Sequence, residues 1–444
     1  MALTEQLTVR AMARDAGQGA LLVPFRLLHA VLNAPAALFL VTLAAMLFRP
    51  PDLDFYHLDR IALVALLSAV FLRALILRQP LWLVRPVTWP MFGLFLLALL
   101  GVLAEPYVPE QWSVFAAKWV VPFLFYHLAE LVFEEGPSSR QFETFCLVVL
   151  AYLCLIAILF VVGAKSLIFP RYILDESLGI HADRARGPFL QAVANGVSLN
   201  ILGLLALNAY RRGRLRGPLA LFFLGAVPLS ILATKTRAVW LSFVGAGLIL
   251  LVLSAQRRVR RACLWLAAAG VAGLVTVLAF TNAGDSLRER AAERSPVDFR
   301  VSLYRAGWAM FLERPLLGWG AHSTQAEVTK RMNDFHQESF VFHNAYLEVV
   351  VEHGLLGLGL YAWVLLDLFR VGRRRRISRP TTYGFLDSEF RAIWPVLVGI
   401  YVVNACFVVM NYQFVNGLLF TLAGMLSAQN RRQDALELNR GRAC

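Results

Sequence analysis

Residues 145–163 read FCLVVLAYLCLIAILFVVG, a run of nineteen residues without a charged side chain. Because an α-helix needs roughly 20 mostly apolar residues to cross a bilayer, this run predicts a transmembrane helix. Across all 444 residues, 58% are hydrophobic and 16% are charged, whereas soluble proteins have about 45–50% and about 25%. The composition therefore excludes a water-soluble multidomain enzyme. It also excludes a disordered or fibrous chain, because low-complexity stretches are absent.

The same criterion, applied to the whole chain, identifies twelve apolar segments. They lie near residues 29–48, 61–77, 88–104, 113–133, 145–163, 190–209, 218–233, 238–255, 262–281, 344–369, 392–410 and 413–428. The predicted fold class is an all-α polytopic membrane protein with about twelve transmembrane helices, forming a single integral membrane domain over residues 1–444. A count of eleven stays open, because Asn411-Tyr412-Gln413 could make the last two segments re-entrant.

Arginine placement predicts the orientation of these segments, because short cytoplasmic loops collect Lys and Arg. Basic clusters follow the second, sixth, eighth, tenth and twelfth predicted spans. They include Arg73, Arg78, Arg85, Arg211, Arg212, Arg214, Arg216, Arg257, Arg258, Arg260, Arg261, Arg370, Arg373, Arg374, Arg375, Arg376, Arg379, Arg431 and Arg432. Both termini are therefore predicted to be cytoplasmic. Much of the net charge of +14 is explained by topology, so nucleic-acid binding is not predicted.

Two longer loops, over about 164–189 and 282–343, fall on the opposite face and carry further arginines. These loops, with the turn between the seventh and eighth spans, place Arg184, Arg186, Arg237, Arg300 and Arg305 beyond the membrane. Arg binds phosphate oxygens in bidentate geometry, so a lipid-linked phosphate or pyrophosphate is a natural ligand. The alternative is that these side chains contact lipid head groups.

Within the second long loop, Ser295 is predicted to begin a helix over Pro296–Leu312. Arg300, Tyr304 and Trp308 would share one face of this helix, since they are four residues apart. Arg305 would point roughly 140° away from Arg300, which makes Arg300 the preferred ligand and Arg305 the second choice. The alternative is a surface amphipathic helix that lies on the bilayer.

His343 opens the tenth span at the membrane boundary, on the same face as these arginines. A neutral imidazole there could accept a proton from a sugar hydroxyl, and nearby cations would lower its pKa and keep it neutral. The alternative is a histidine that caps its helix. Glu348 and Glu352 follow one turn apart; they could orient His343, pair with an Arg, or be protonated packing residues. Lys118 in the fourth span raises the same question, with a salt bridge as its alternative.

Cofactor motifs are weak or missing in this sequence. Asp52-Leu53-Asp54 is a weak match to a metal-binding pair, and no nucleotide-binding loop or nucleophile elbow is present. No loop on the far side holds a pair of cysteines, so no disulfide framework is predicted. No two cysteines are close enough in the chain to predict a zinc site. We therefore predict no metal and no cofactor.

Four stretches together resemble the O-antigen ligase and polymerase superfamily, which includes the bacterial O-oligosaccharyltransferases. They are Arg186-Gly187-Pro188-Phe189 with Asn195; Thr236-Arg237-Ala238 with Trp240; Arg305 and Trp308 followed by Arg314-Pro315-Leu316-Leu317-Gly318-Trp319-Gly320; and His343-Asn344 with Glu352, Gly354, Leu355, Leu356 and Gly357. The resemblance covers chiefly residues 180–365. It implies a class C glycosyltransferase-like protein of the bacterial inner membrane, with its active site facing the periplasm.

What the resemblance implies for the chemistry agrees with the residues. The donor would be O-antigen linked to undecaprenyl pyrophosphate, and the acceptor would be the lipid A–core oligosaccharide. His343 would be the general base, while Arg186, Arg237 and Arg300 would hold the pyrophosphate, without a metal. Besides these substrates, the expected partners are membrane lipids.

Three other functions stay open from the sequence. An O-antigen polymerase would use the same donor with a second lipid-linked glycan as acceptor, and a protein O-oligosaccharyltransferase would use a protein. One dominant loop on the far side favours the ligase over the polymerase. A lipid-carrier flippase or anion transporter should carry charged groups through to the cytoplasmic side. Here the polar groups gather at one face, which favours an enzyme.

Overall fold

The computed structural model describes residues 34–49, 57–81, 83–104, 106–133, 136–179, 181–280, 295–332, 340–373 and 385–441. Within these ranges the chain forms helices and turns and contains no β-strand, which confirms the all-α fold class. In chain order the helices are α1 (Ala34–Leu47), α2 (Leu58–Leu77), α3 (Thr88–Leu103), α4 (Pro109–Val132), α5 (Gly136–Val161), α6 (Ala192–Arg211), α7 (Gly217–Ala233), α8 (Arg237–Leu253), α9 (Arg257–Phe280), α10 (Ser295–Glu313), α11 (Ala321–Arg331), α12 (Ala345–Gly372), α13 (Ser388–Ala405) and α14 (Gln413–Gly441).

Each of the twelve predicted apolar segments overlaps one of these helices. In the part of the chain that the structure describes, six helices are long and apolar enough to cross a membrane, namely α2, α4, α5, α6, α9 and α12. Four shorter apolar helices, α1, α3, α7 and α8, accompany them. These helices indicate a multi-pass membrane protein. The count of twelve spans and the orientation of the termini stay predictions.

The apolar residues divide between a packed interior and an outer surface. Helix α6 is buried along nearly its whole length, whereas α2 and α9 expose large side chains such as Ile61, Leu75 and Trp265. An apolar outer surface suits lipid tails, because the hydrocarbon core offers no water to polar groups. The most peripheral helices are therefore those expected to face lipid.

Helix α5 begins at Gly136, nine residues before the predicted start of the apolar segment. Glu143, in the added turns, accepts ion pairs from Arg212 and Arg214, which follow α6. Because its carboxylate has these partners, the helix can continue past the end of its apolar run. Hydropathy alone could not place this boundary.

Helix α12 is interrupted at Gly354, where the sequence predicted a continuous span. Gly354 has φ 65°, and a Cβ atom there would lie 2.2 Å from the carbonyl of Leu316. The Leu355 N–H donates to the Pro315 carbonyl at 2.8 Å, and the Gly320 N–H donates to the Glu352 carbonyl at 2.9 Å. Only glycine adopts this conformation at little cost. The turn over 315–320 therefore fills the break and ties the end of α10 to α12.

Candidate active site

The loop before α6 and the turn before α8 pack against each other at one end of the helices. The Ala185 N–H donates to the Ala233 carbonyl at 3.0 Å, and Lys235 Nζ lies 3.5 Å from Asp183. Asn195 at the start of α6 donates its amide to the Ala185 carbonyl at 2.8 Å. These contacts bring the segments that carry Arg184 and Arg237 together.

Arg186 lies inside this loop and is 2% exposed. Its guanidinium donates to the backbone carbonyls of Ile173, Asp175 and Leu178. Burial lowers the pKa of Arg186, and the nearby Asp175 carboxylate opposes that effect. Since its donors already hold the backbone of residues 173–178, the geometry favours a positioning role over the direct phosphate contact that the sequence predicted.

Arg237 begins α8, and its side chain is exposed. The turn that precedes it is braced by side chains: the Trp240 indole N–H donates to the Ile231 carbonyl at 2.9 Å, and the Thr236 hydroxyl donates to the Thr234 carbonyl at 2.9 Å. A helix N-terminus favours anions because its first N–H groups lack intrahelical acceptors. Arg237 therefore presents a cation at a helix end that itself suits an anionic group.

Arg184, in the neighbouring loop, is buried at 7% exposure and lies 3.8 Å from Asp183.

Helix α10 covers Ser295–Glu313 and confirms the helix that the sequence predicted in the long loop. Leu303 and Met310 on its inner face are buried, whereas Arg305 and Trp308 are exposed. Arg300 therefore faces the protein while Arg305 does not, in agreement with the predicted angle between them. Trp308, predicted to share the face of Arg300, has a side chain that is 57% exposed.

Arg300 and His343 are neighbours. The Phe299 ring lies 6.1 Å from the His343 ring, and the Arg300 guanidinium carbon lies 5.8 Å from the Phe407 ring. One turn further along α10, the Tyr304 hydroxyl lies 3.4 Å from the Cys406 carbonyl oxygen. The structure thus places Arg300 beside the end of α13 and next to the predicted base.

The end of α13 also approaches α8 and α12. Asn404 donates its side-chain amide to Ser242 of α8 at 3.0 Å, and Tyr346 of α12 donates its hydroxyl to the Val402 carbonyl at 3.0 Å. Ser242 lies five residues after Arg237, and Tyr346 lies three residues after His343. Arg237, Arg300 and His343 therefore lie toward the same end of α13.

His343 does not cap α12. Asn344 does, because its side-chain oxygen accepts the N–H groups of Tyr346 at 2.9 Å and Leu347 at 3.1 Å. The imidazole is exposed at the surface of the described chain. Partial loss of hydration lowers the pKa of His343, and the Arg300 cation lowers it further. A lowered pKa keeps the ring neutral, the state in which it can take up a proton.

The two carboxylates of α12, Glu348 and Glu352, pair with a lysine rather than with an arginine or with His343. Lys118 Nζ lies 2.5 Å from Glu348 and 3.9 Å from Glu352, and all three side chains are buried. His353, which the sequence analysis did not single out, lies 3.7 Å from Glu352 through Nε2. The ring of His353 also meets Trp119 at 5.9 Å. In the sequence, the position of His353 directly after Glu352 was the one sign that it belongs to this cluster.

Asp52 and Asp54, the weak match to a metal-binding pair, lie outside the described residues. Across the described ranges, no group of three or more His, Cys, Asp or Glu side chains could hold a metal ion. Metal independence stays a prediction.

Comparison with known proteins supports the resemblance read from the sequence. Residues 219–362 match a family model described as O-antigen ligase. The matched region contains Arg237, Arg300, Arg305 and His343, but not Arg184 or Arg186. It therefore covers α8, α10 and most of α12, the helices that carry the arginines and the histidine around α13.

The exopolysaccharide production protein ExoQ of Rhizobium meliloti (strain 1021) is 28% identical over 204 residues. That alignment covers 43% of this chain and 45% of the relative, so the chain spans less than half the length of the curated relative it matches. Together the two matches confirm that this chain resembles the O-antigen ligase and polymerase superfamily.

Proposed function

We propose that this protein is an O-antigen ligase of the bacterial inner membrane. It transfers O-antigen from undecaprenyl pyrophosphate to the lipid A–core oligosaccharide on the periplasmic face. The observation that carries the proposal is the position of His343, with its lowered pKa, beside Arg300 and at the same end of α13 as Arg237. A base next to guanidinium groups suits a reaction in which a hydroxyl attacks and a pyrophosphate leaves.

In the proposed mechanism, His343 takes the proton of an acceptor hydroxyl as the oxygen attacks the anomeric carbon of the donor sugar. The bond from that carbon to the pyrophosphate oxygen breaks with inversion of configuration, and undecaprenyl pyrophosphate leaves. Arg237 and Arg300 stabilise the negative charge that grows on the leaving oxygen. This stabilisation is largest when the guanidinium groups are already in place before the reaction. Arg184 and Arg305 are secondary phosphate contacts, and Arg186 holds the loop. No metal takes part.

The opposite ends of the helices support an enzyme rather than a transporter. Arg211 pairs with Asp387 at 2.5 Å, and Glu143 binds Arg212 and Arg214. These pairs join α5, α6 and α13 at the end predicted to be cytoplasmic. A transport path between α5, α6 and α13 would open these pairs, whereas transfer on one face leaves them intact.

Competition between acceptors tests the proposal. The purified protein, given undecaprenyl-pyrophosphate-linked O-antigen, is offered lipid A–core and a second lipid-linked glycan at equal concentration. We expect the product to be lipid A–core carrying O-antigen, resolved by gel electrophoresis and mass spectrometry. Longer lipid-linked glycan without lipid A–core product would instead identify a polymerase, and transport of donor without transfer would identify a flippase.

The pH dependence of glycan transfer tests whether Arg300 acts on the pKa of His343. The proton acceptor works only when neutral, so kcat/KM should fall as the pH drops through the pKa of His343. Arg300 lowers that pKa in the native protein. Replacing it in Arg300→Gln removes the cation, raises the pKa of His343 and should move the acidic limb to higher pH, on top of a lower maximal rate. A reduced rate with an unmoved limb would show that Arg300 does not act on the base.

A further inference from the structure

A second polar feature lies beside the candidate active site and takes no part in the mechanism above. It is a cavity of about 260 Å³ between α3, α4, α11 and the first turns of α12. The segment over 340–342 forms one wall. Small-molecule sites commonly measure about 300–1,000 Å³. This cavity therefore has room for a unit such as one sugar, and not for a polysaccharide.

The charge of the cavity differs from that of the arginine site. Among the described residues, its lining contains the carboxylates of Glu110, Glu348 and Glu352, with Lys118 as the one cation and no arginine. A pyrophosphate would meet three carboxylates there, which disfavours it. Uncharged hydroxyl groups suit the same lining well, because carboxylates accept their hydrogen bonds and an ammonium donates one.

The remaining lining supplies the other contacts that a sugar ring requires. Gln111, Gln325 and Asn411 add amides, each of which can both donate and accept. Trp119 adds an apolar ring on which the C–H face of a pyranose can pack. Aromatic walls with a few placed polar groups are typical of small-molecule sites. The lining therefore suits a polyhydroxylated ring better than a fatty chain.

His353 supplies an independent sign of a ligand. It is 2% exposed and lines the cavity, and its Nε2 makes no hydrogen bond to any residue in the described ranges. A buried polar atom without a hydrogen bond is costly. A hydroxyl group bound in the cavity would provide that bond, as either donor or acceptor according to the tautomer of the ring.

The cavity lies next to the proposed base. Phe340, Val341 and Phe342 line it, and His343 is the next residue in the chain. The Phe340 ring is 5.8 Å from Phe299, whose ring in turn is 6.1 Å from His343. The proposed base therefore adjoins the wall of the cavity.

From these observations we infer that the cavity between α3, α4, α11 and α12 is the acceptor subsite, which binds the terminal sugar of the acceptor glycan and presents its hydroxyl to His343. This inference rests on the proposed transferase function. It divides the site by charge: the arginines take the anionic donor, and the carboxylate-lined cavity takes the uncharged acceptor sugar.

Filling the cavity tests the inference. Ala321 at the start of α11 lines it, whereas Ala326 on the same helix is exposed and does not. Binding to the purified full-length protein is measured for three probes: lipid A–core, lipid A without core sugars, and undecaprenyl pyrophosphate. We expect Ala321→Phe to weaken lipid A–core binding at least tenfold, to the level of lipid A without core. The affinity for undecaprenyl pyrophosphate should not change, and Ala326→Phe should behave as the wild type.

A second variant guards against misfolding. Glu110→Gln removes one accepting carboxylate at an exposed position without changing its shape. It should raise the KM for lipid A–core severalfold and leave the KM for the donor unchanged. Unchanged lipid A–core binding in Ala321→Phe, or a loss confined to the donor, would overturn the inference. If wild-type protein binds lipid A–core through the cavity but transfers no glycan to it, the subsite stands and the proposed function fails.

Discussion

His343→Ala should lower the kcat for glycan transfer by about 10²–10⁴-fold, the usual contribution of a general base. The variant removes the only proton acceptor that the proposed mechanism uses. Because the His343 side chain is exposed and Asn344 provides the helix cap, folding should be unaffected. Single-turnover transfer to lipid A–core, measured with saturating donor, checks the effect on the chemical step.

His57→Ala is the matched control for this experiment. His57 is also exposed and also precedes a helix, α2, without making a side-chain cap. Its replacement should leave transfer unchanged. If His343→Ala transfers glycan at the rate of the wild type while remaining monodisperse, His343 is not the base and the mechanism is wrong.

Arg237→Lys should lower kcat/KM for the lipid-linked donor by about 10²-fold, a loss typical when one donor to a developing oxyanion is removed. Lysine keeps the charge but lacks the planar pair of N–H groups that binds two phosphate oxygens at once. Lys235 cannot substitute from the same turn without leaving Asp183, 3.5 Å away. Initial rates over a series of donor concentrations measure the effect.

The matched control for this change is Arg60→Lys, an exposed position near the start of α2. This variant makes the same Arg-to-Lys change at a position away from the proposed phosphate site, and it should leave the kinetics unchanged. Equal rates for Arg237→Lys and wild type would show that a point charge suffices at residue 237. Equal rates for Arg237→Met would remove the residue from donor binding altogether.

The helices were largely predictable, because the position and length of an apolar run indicate the position and approximate length of the helix that contains it. Of the predicted run 145–163, residues 145–161 lie within α5, and Ser295 begins α10 as its sequence indicated. The sequence also predicted that Arg237, Arg300 and His343 lie on one face, since short-loop charge orients each helix. Both signals are local in the chain, which is why a single sequence carries them.

Contacts between distant parts of the chain were not predictable in the same way. Lys118 pairs with Glu348, 230 residues later, and the sequence around either residue does not indicate its partner. The sequence predicted Arg186 as a phosphate ligand, because a sequence does not show that backbone carbonyls surround the guanidinium in the folded chain. The cavity beside His343 likewise exists only once four separate helices have packed.

The break in α12 bears on the height at which the reaction takes place. Beyond Gly354, Leu355–Gly372 contains eighteen residues, about 27 Å of helix at 1.5 Å per residue, which nearly matches a hydrocarbon layer of about 30 Å. The ten residues from Asn344 to His353 then form a separate arm, up to about 15 Å long. With α12 divided in this way, we expect His343 to stand in the head-group layer rather than among acyl chains. That is the depth at which the sugars of two lipid-anchored molecules can meet while both anchors stay in the bilayer.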